Sequence, residues 1–312
     1  MKKMQKTFFA LGTANTVSVF YDEGREIQIN NTLNKIKSRI LMFDDMFSVF
    51  KKDSEISKIN SAAGKSLVQI CPQTYEIIKK SVEFSKKTNG AFDISAGSLS
   101  RLWKNAAKTK KVPDMDEIKR HAGLTNYKDI ILKDNKAGLR RAGQELDLGG
   151  IAKGYAADEA KRILKEENIT NAIINFGGTI IAMGDEKQIG IQNPDAKTGT
   201  YIGTVIIQNK AVVTSGLYER FFINNGNLYH HIIDTKTGMP SKSGLISVTV
   251  IGNSAFEMDA LATSVFIMGL KEGIKLVDAF HAEVVFIDEN GDVFLTRGLE
   301  NNFLKYGDGV NE

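Results

Sequence analysis

Three short stretches of the chain carry side chains that can do chemistry together. The segment ELDLGGIAKGYAAD, Glu145 to Asp158, sets Gly149 and Gly150 just ahead of an expected helix start. Glycines there let the backbone approach a ligand closely, and the free N–H groups of a helix N-terminus attract phosphate. Lys153 adds a cation and Asp147 a carboxylate. A tight strand-to-helix turn whose glycines serve packing fits the same spacing. In EMDALATS, Asp259 and Thr263 are one helical turn apart, so both oxygens fall on one face. A carboxylate, a hydroxyl and a nearby backbone carbonyl make a hard-oxygen shell for Mg2+. An Asp that caps a helix or pairs with a cation is the simpler account of that stretch. In YHHIIDTKTGMP, His230 and His231 precede Asp234. Adjacent residues of a strand face opposite sides, so at most one of the two histidines points into a given site. Histidine suits proton transfer near neutral pH; an exposed pair is the alternative.

Other routes to such chemistry are closed. The chain has no G-x-x-x-x-G-K-[ST] loop, no G-x-G-x-x-G, no G-x-S-x-G elbow and no H-E-x-x-H. The single cysteine, Cys71, excludes an internal disulfide and a cysteine-based metal site. It is expected buried or half-buried in a strand.

The elements that must position these groups follow from periodicity. Leu33, Ile36, Ile40, Phe43 and Phe47 recur at helical spacing and predict a helix over Thr32 to Phe47. A second helix is expected over Thr74 to Lys87, stopped by Asn89-Gly90. Lys128 to Leu132 and Gly138 to Arg141 read as strands joined through Asp134-Asn135. A helix follows Gly154, with Tyr155, Ala156, Ala160, Ile163 and Leu164 on one face. Further strands are expected at Ala172 to Phe176, Ile180 to Met183, Val205 to Ile207, Ala211 to Thr214 and Leu245 to Ile251. In the last of these, Ile246, Val248 and Val250 alternate with Ser247 and Thr249, as in a half-buried strand. A helix over Ala255 to Met268 precedes a hairpin of Val284 to Ile287 and Val293 to Thr296 through Asn290-Gly291. Strands mostly adjoin strands, which predicts an α+β fold with largely antiparallel sheets rather than a doubly wound parallel sheet.

The chain has 312 residues, enough for one large domain or two closely joined lobes. Its net charge of +4 suits an anionic ligand but lacks the clustered Lys/Arg of a nucleic-acid binder. The basic run Lys108 to Lys111 reads as a solvated loop. No stretch approaches the roughly 20 apolar residues of a membrane span. The opening MKKMQKTFFALGTANTVSVF begins like a signal peptide, but its apolar part is broken at Gly12, Thr13 and Asn15. It is therefore expected to be the first strand.

Taken together, these segments resemble the ApbE family, the FAD:protein FMN transferases. GTANTVSV looks like that family's opening strand, and FSVFKKDSEISKIN and GAFDISAGSLSRLW resemble two further motifs. LDLGGIAKGYAAD is close to its central motif; INFGGTIIAMG, TSGLYERFF, HHIIDTKTGMP and SVTVIGNSAFEMDALATSVFIMG follow in order. The resemblance covers nearly the whole chain. It implies a single ApbE-type (T-fold-like) domain over residues 1–312, with the FAD and metal site between its lobes. It also implies an enzyme that splits FAD, moves FMN onto a Thr or Ser hydroxyl of an acceptor redox protein and releases AMP. By that likeness Mg2+ is held by the Gly150 carbonyl with Asp259 and Thr263, and Ala262 stands where some members place a second acid. FAD is met by Leu11, Phe50, Ala91, Phe92, Asp93, Asp147, Lys153 and Ile233, with Phe50 stacking on the flavin. His231 is the expected base; Ser215 and Arg220 sit where a ligand or the metal-side loop could be supported, a purely structural part being the equal alternative. Ser98, Leu217 and Thr235 depart from the family pattern without removing a ligand. Two alternatives use the same pocket: an Mg2+-dependent FAD pyrophosphatase giving FMN and AMP, or a non-catalytic flavin-binding or trafficking protein. The expected location is the cytoplasm as the chain is written, or a membrane anchorage outside it if an export segment has been trimmed.

Overall fold

The computed structural model describes residues 1–194, 196–197 and 199–306. The chain divides into two compact units. The first comprises Met1–Leu41, Lys153–Gly216 and the chain from Gly244 onward; the second comprises Met42–Ala152 and Leu217–Ser243. Every strand ladder among the described residues is antiparallel, as expected for the α+β class.

The first unit is built on an eight-stranded sheet. Its strands are β1 (Lys2–Ala10), β2 (Thr13–Tyr21), β6 (Ala172–Phe176), β7 (Thr179–Met183), β10 (Ala211–Gly216), β13 (Leu245–Gly252), β14 (Glu283–Asp288) and β15 (Val293–Leu295), in that spatial order. The N-terminal residues thus form a hairpin, not the single strand expected. Leu11 and Gly12 have φ of 53° and 74°, the left-handed pair that a two-residue turn requires. What looked like a break in the apolar run is the turn itself.

The β13 strand corrects a second expectation. It is buried on both faces, Ser247 and Thr249 included. The Thr249 hydroxyl is accommodated by that of Thr214 on β10, 2.8 Å away, whereas the Ser247 hydroxyl is buried without a hydrogen-bond partner among the described residues. One face is covered by α7 (Ala255–Ala279), a helix interrupted at Gly269, where φ is 75°. The expected helix, Ala255 to Met268, ends at that interruption. Elsewhere Ile251, Val212 and Val285 join a core with Ile189, Ile191, Val205 and Ile207. Those four belong to a three-stranded sheet of β8 (Lys187–Gln192), β9 (Tyr201–Ile207) and β16 (Phe303–Lys305). The N-terminal part of α1 (Glu26–Phe47) and most of α6 (Ala152–Glu166) complete the unit. The expected apolar positions of both helices are buried.

The second unit carries α2 (Glu55–Ser61), α3 (Pro72–Lys87), α4 (Gly97–Thr109) and α5 (Met115–Ala122). Beside them lie a small sheet of β3 (Val68–Gln69), β4 (Ile130–Lys133) and β5 (Lys136–Leu139), and a hairpin of β11 (Phe221–Asn224) and β12 (Asn227–His230). Cys71 is not in a strand. It caps α3, with Pro72 at the first helical position, where a missing N–H costs nothing. Of the basic run, Lys108 lies in the last turn of α4, and Lys108 to Lys111 are all exposed. The core of this unit gathers Leu99, Leu102, Trp103, Ile118, Phe222 and Ile233. Trp103 stacks on Tyr229 at 5.7 Å between centroids and donates its indole N–H to the Gly238 carbonyl at 2.8 Å. Among the described residues no helix is long and apolar enough to cross a membrane.

Candidate functional site

In the first unit the chemistry gathers where α6 starts and α7 passes beside it. Gly154 makes this approach possible: a Cβ there would lie 2.4 Å from the Ala255 carbonyl oxygen and 2.8 Å from Asp259 Cβ. With no side chain, its N–H donates to Asp259 Oδ2 at 2.9 Å. The two helices cap each other. Asp158 of α6 accepts from Ser254 Oγ (2.7 Å) and from the Ala255 and Phe256 N–H groups (3.0 Å each) at the start of α7. Asp259 of α7 in turn receives an N–H from the first turn of α6, where a carboxylate is favoured by the helix dipole.

Asp259 is 4% exposed. Burial pushes its carboxyl above the usual range, opposed by the nearby Lys153 cation and the Gly154 N–H. Lys153 Nζ is 3.3 Å from Oδ1. Thr263, one turn along α7, donates to the Asp259 carbonyl at 3.4 Å, and its oxygen lies 3.4 Å from Ser215 Oγ on β10. The expected sharing of one helix face by Asp259 and Thr263 is therefore met, and Ser215 faces them. A buried carboxylate on the same helix face as a hydroxyl one turn along, with a second hydroxyl facing that one, offers hard oxygen donors of the kind a divalent cation takes. Ala262 is fully buried and its methyl offers no ligand. Among the described residues no three His, Cys, Asp or Glu side chains meet in a group able to hold a metal. The Asp259 cluster instead depends on one carboxylate with neutral oxygens.

Leu11 belongs to this unit, at the end of the sheet where the β6–β7 turn Gly177-Gly178 and the end of β10 also lie; the registers Asn15↔Phe176, Phe176↔Thr179 and Thr179↔Val213 align them. A leucine held at positive φ costs about 1–2 kcal/mol. Such strain recurs at binding sites.

The second unit holds the remaining expected residues. The segment before Gly149 is pinned from both sides. Asn60, the last residue of the FSVFKKDSEISKIN stretch, accepts from Leu146 N (2.7 Å) and donates to its carbonyl (3.0 Å). On the other side Asp147 N donates to the Ile94 carbonyl (2.8 Å), and Gly97 N to the Glu145 carbonyl (3.0 Å). Asp147 Oδ1 accepts from Gly149 N at 2.9 Å and Oδ2 meets Lys104 Nζ at 2.8 Å. Gly150 lies against the Phe92 ring. Phe50 is 78% exposed, with Lys104 Nζ 5.3 Å from its ring centroid.

Asp93 is committed locally. Its carboxylate accepts from Ser95 N (2.8 Å), Ser95 Oγ (2.7 Å) and Tyr127 N (2.8 Å). Burial raises its pKa and these bonds lower it. Ala91, Phe92 and Ile233 are buried, Ile233 within the Trp103 core, so what they present to a ligand is mainly backbone.

The histidine pair separates as expected. His230 is buried: Nδ1 accepts from Ile232 N at 3.2 Å and Nε2 donates to the Ser241 carbonyl at 3.0 Å. Both ring nitrogens are used, and burial holds its pKa below the ordinary value. His231 is exposed, with Nδ1 3.3 Å from the Arg220 carbonyl. A proton on Nδ1 would donate there, and an exposed imidazole is the side chain suited to proton transfer near neutral pH. Arg220 contributes this carbonyl; its guanidinium side is exposed. Sequence reasoning did not find Gly154, Asp158, Asn60 or Lys104, whose parts depend on partners distant in the chain.

A family model described as the ApbE family matches residues 11–286. A curated relative from Klebsiella pneumoniae (strain 342), an FAD:protein FMN transferase, is 33% identical over 266 residues, covering 84% of each chain. One of the same name from Treponema pallidum (strain Nichols) is 28% identical over 320 residues, covering 96% of this chain and 88% of that one. The crystal structure of the ApbE protein from Thermotoga maritima superposes with a TM-score of 0.87 at 31% identity, covering 96% of this chain and 99% of that one.

Proposed function

The chain belongs to the ApbE family, and on that premise we propose that it is an Mg2+-dependent FAD:protein FMN transferase acting on a Thr or Ser hydroxyl of an acceptor redox protein. The observation that carries the reading is Asp259: a buried carboxylate with one ammonium for counter-charge, on a helix face it shares with the Thr263 hydroxyl. Such a group suits a divalent cation working on a diphosphate. In this reading Asp259, Thr263 and the Gly150 carbonyl would hold Mg2+, with Ala262 contributing no side-chain donor. A divalent cation held there would supply charge neutralisation at the pyrophosphate of FAD and make AMP a better leaving group.

The protein's own residues do the rest. Lys153, paired with Asp259 in the free protein, turns its cation to the phosphates. Phe50 stacks on the isoalloxazine ring. Leu11, Asp147 and the backbone at Ala91, Phe92 and Ile233 fix the ends of FAD, while Asp93 holds the turn that presents them. His231 Nε2 takes the proton of the acceptor hydroxyl, whose oxygen forms a bond to the FMN phosphorus. The anhydride bond breaks and AMP leaves with the bridging oxygen.

The test is incubation with FAD, Mg2+ and candidate acceptor proteins, followed by mass spectrometry for an FMN adduct and chromatography for AMP. Transfer with matching AMP release is expected, and Asp259→Ala should end both. Steady AMP release without adduct on any acceptor would favour an FAD pyrophosphatase. Full activity in Asp259→Ala would sink the metal site.

A further inference from the structure

Two basic residues of α4 reach the segment that leads into Gly149. Arg101 pairs with Glu145 at 2.7 Å and Lys104 with Asp147 at 2.8 Å, three residues apart on the helix and two along the segment. They are not equivalent. The Arg101 side chain is 58% exposed and touches a carboxylate with no part in the reading above. Lys104 is 36% exposed and Asp147 15%. Both Asp147 oxygens are engaged, one by Lys104 and one by Gly149 N. The same ammonium stands 5.3 Å from the ring centroid of Phe50, the exposed aromatic of this cluster. One cation thus joins the carboxylate and the ring assigned to the flavin. Trp103, next in the chain, fixes the helix that carries it through the Gly238 hydrogen bond and the Tyr229 stack.

We propose that Lys104 is a flavin-positioning residue, which rests on the transferase reading above. Its ammonium aims Asp147 and neutralises its charge, so that an uncharged ring system can lie beside a carboxylate. Through the face of Phe50 it also holds that ring in place for stacking. Lacking a hydroxyl, Phe50 has no hydrogen bond of its own side chain to fix its plane, and the cation supplies the constraint. The effect belongs to binding of FAD rather than to the chemical step.

The experiment compares Lys104→Met, Lys104→Arg and Arg101→Met by steady-state AMP release at varied FAD and by titration of FAD against flavin fluorescence. Lys104→Met keeps the apolar stem and should raise KM and Kd for FAD about tenfold, the scale of one charge-assisted contact, with kcat within about twofold. Lys104→Arg should restore most of the affinity. Arg101→Met should leave both parameters within about twofold, as an exposed pair does. A thermal midpoint for each variant separates loss of folding from loss of binding, and a Lys104→Gln variant repeats the test should the Met protein fail to fold. Unchanged FAD affinity in the Lys104 variants overturns the proposal, as does an equal loss in Arg101→Met. Phe50→Ala distinguishes the two levels: if it weakens FAD binding while Lys104→Met does not, only the role of Lys104 falls. If neither matters, the flavin has been assigned to the wrong cluster.

Discussion

Replacing Gly154 by Ala tests the part of the site that depends most on close packing. The added methyl would lie 2.4 Å from the Ala255 oxygen, a backbone atom at the start of α7. Ordinary contact begins near 3.5 Å, so α6 must withdraw by about 1 Å. Overpacking of this kind costs about 1–3 kcal/mol. The withdrawal also stretches the 2.9 Å bond from Gly154 N to the Asp259 carboxylate, whose loss is worth about 1.5–3 kcal/mol. Against this, Ala in place of a helical Gly returns about 1 kcal/mol. A net loss of about 1.5–5 kcal/mol is expected, which at an m-value near 3 kcal/mol/M lowers the urea midpoint by about 0.5–1.7 M. Far-UV circular dichroism reads that shift. AMP release should fall by about 100-fold, because the same withdrawal misplaces the Lys153 cation, proposed to meet the phosphates, and a misplacement of about 1 Å has that effect on a reacting arrangement. A Gly154→Ala protein with wild-type midpoint and wild-type turnover would refute the account of the helix contact and of its role together.

Three other outcomes are expected. His231→Gln should lower transfer by about 100-fold or more while FAD titrations stay unchanged, since a general base contributes to the chemical step alone; weakened FAD binding would contradict the assignment. Removing the hydroxyl with Thr263→Val, which keeps the shape of the side chain, should raise the Mg2+ concentration needed for half-maximal AMP release, and no change would strike Thr263 from the metal shell. His230 makes a pH prediction. Burial depresses its folded pKa below the ordinary 6.5, so the unfolded chain binds the proton more readily. The stability it supplies is present above pH 6.5 and is lost as pH falls through the folded value. Chemical denaturation between pH 7.5 and 5 should therefore show a shallower acid-side loss in His230→Gln than in the parent, and equal slopes would refute a buried neutral imidazole.

Much of the fold was legible because its signals are local. The helix over Thr32 to Phe47 extends only upstream, to Glu26, and its five apolar positions are all buried. The Asp134-Asn135 turn joins two strands as expected, with φ of 48° and 56°, although the flanking strands shift by about two residues. Where the reading failed, a local pattern had two physical meanings. Leu11-Gly12 ends an apolar run, but a tight hairpin turn does so too. Alternation of Val and Ile with Ser and Thr marks a half-buried strand unless the hydroxyls find each other, as Thr249 and Thr214 do. Cys71 before Pro72 carried a cap signal that its usual preference for burial obscured.

The site divides along the same line. Gly149, Gly150, Asp259 and His231 stand out in the sequence as candidates because their side chains, or lack of them, suit chemistry at short spacing. What sequence could not supply is the set of partners that aims them. Asp158 lies inside the most legible motif of the chain, yet its part is to cap a helix that begins at Ala255, almost a hundred residues on. Gly154 belongs to the same motif, and its necessity is visible only once Ala255 and Asp259 stand against it. Asn60 anchors Leu146 through both its amide oxygen and nitrogen, so one motif is held in place by another far from it in sequence. The motifs therefore record two kinds of demand. Some positions are those proposed to meet the ligand, and others meet the backbone of a distant motif. A change at the second kind acts by moving the first, which is why the Gly154 methyl is expected to cost both stability and turnover.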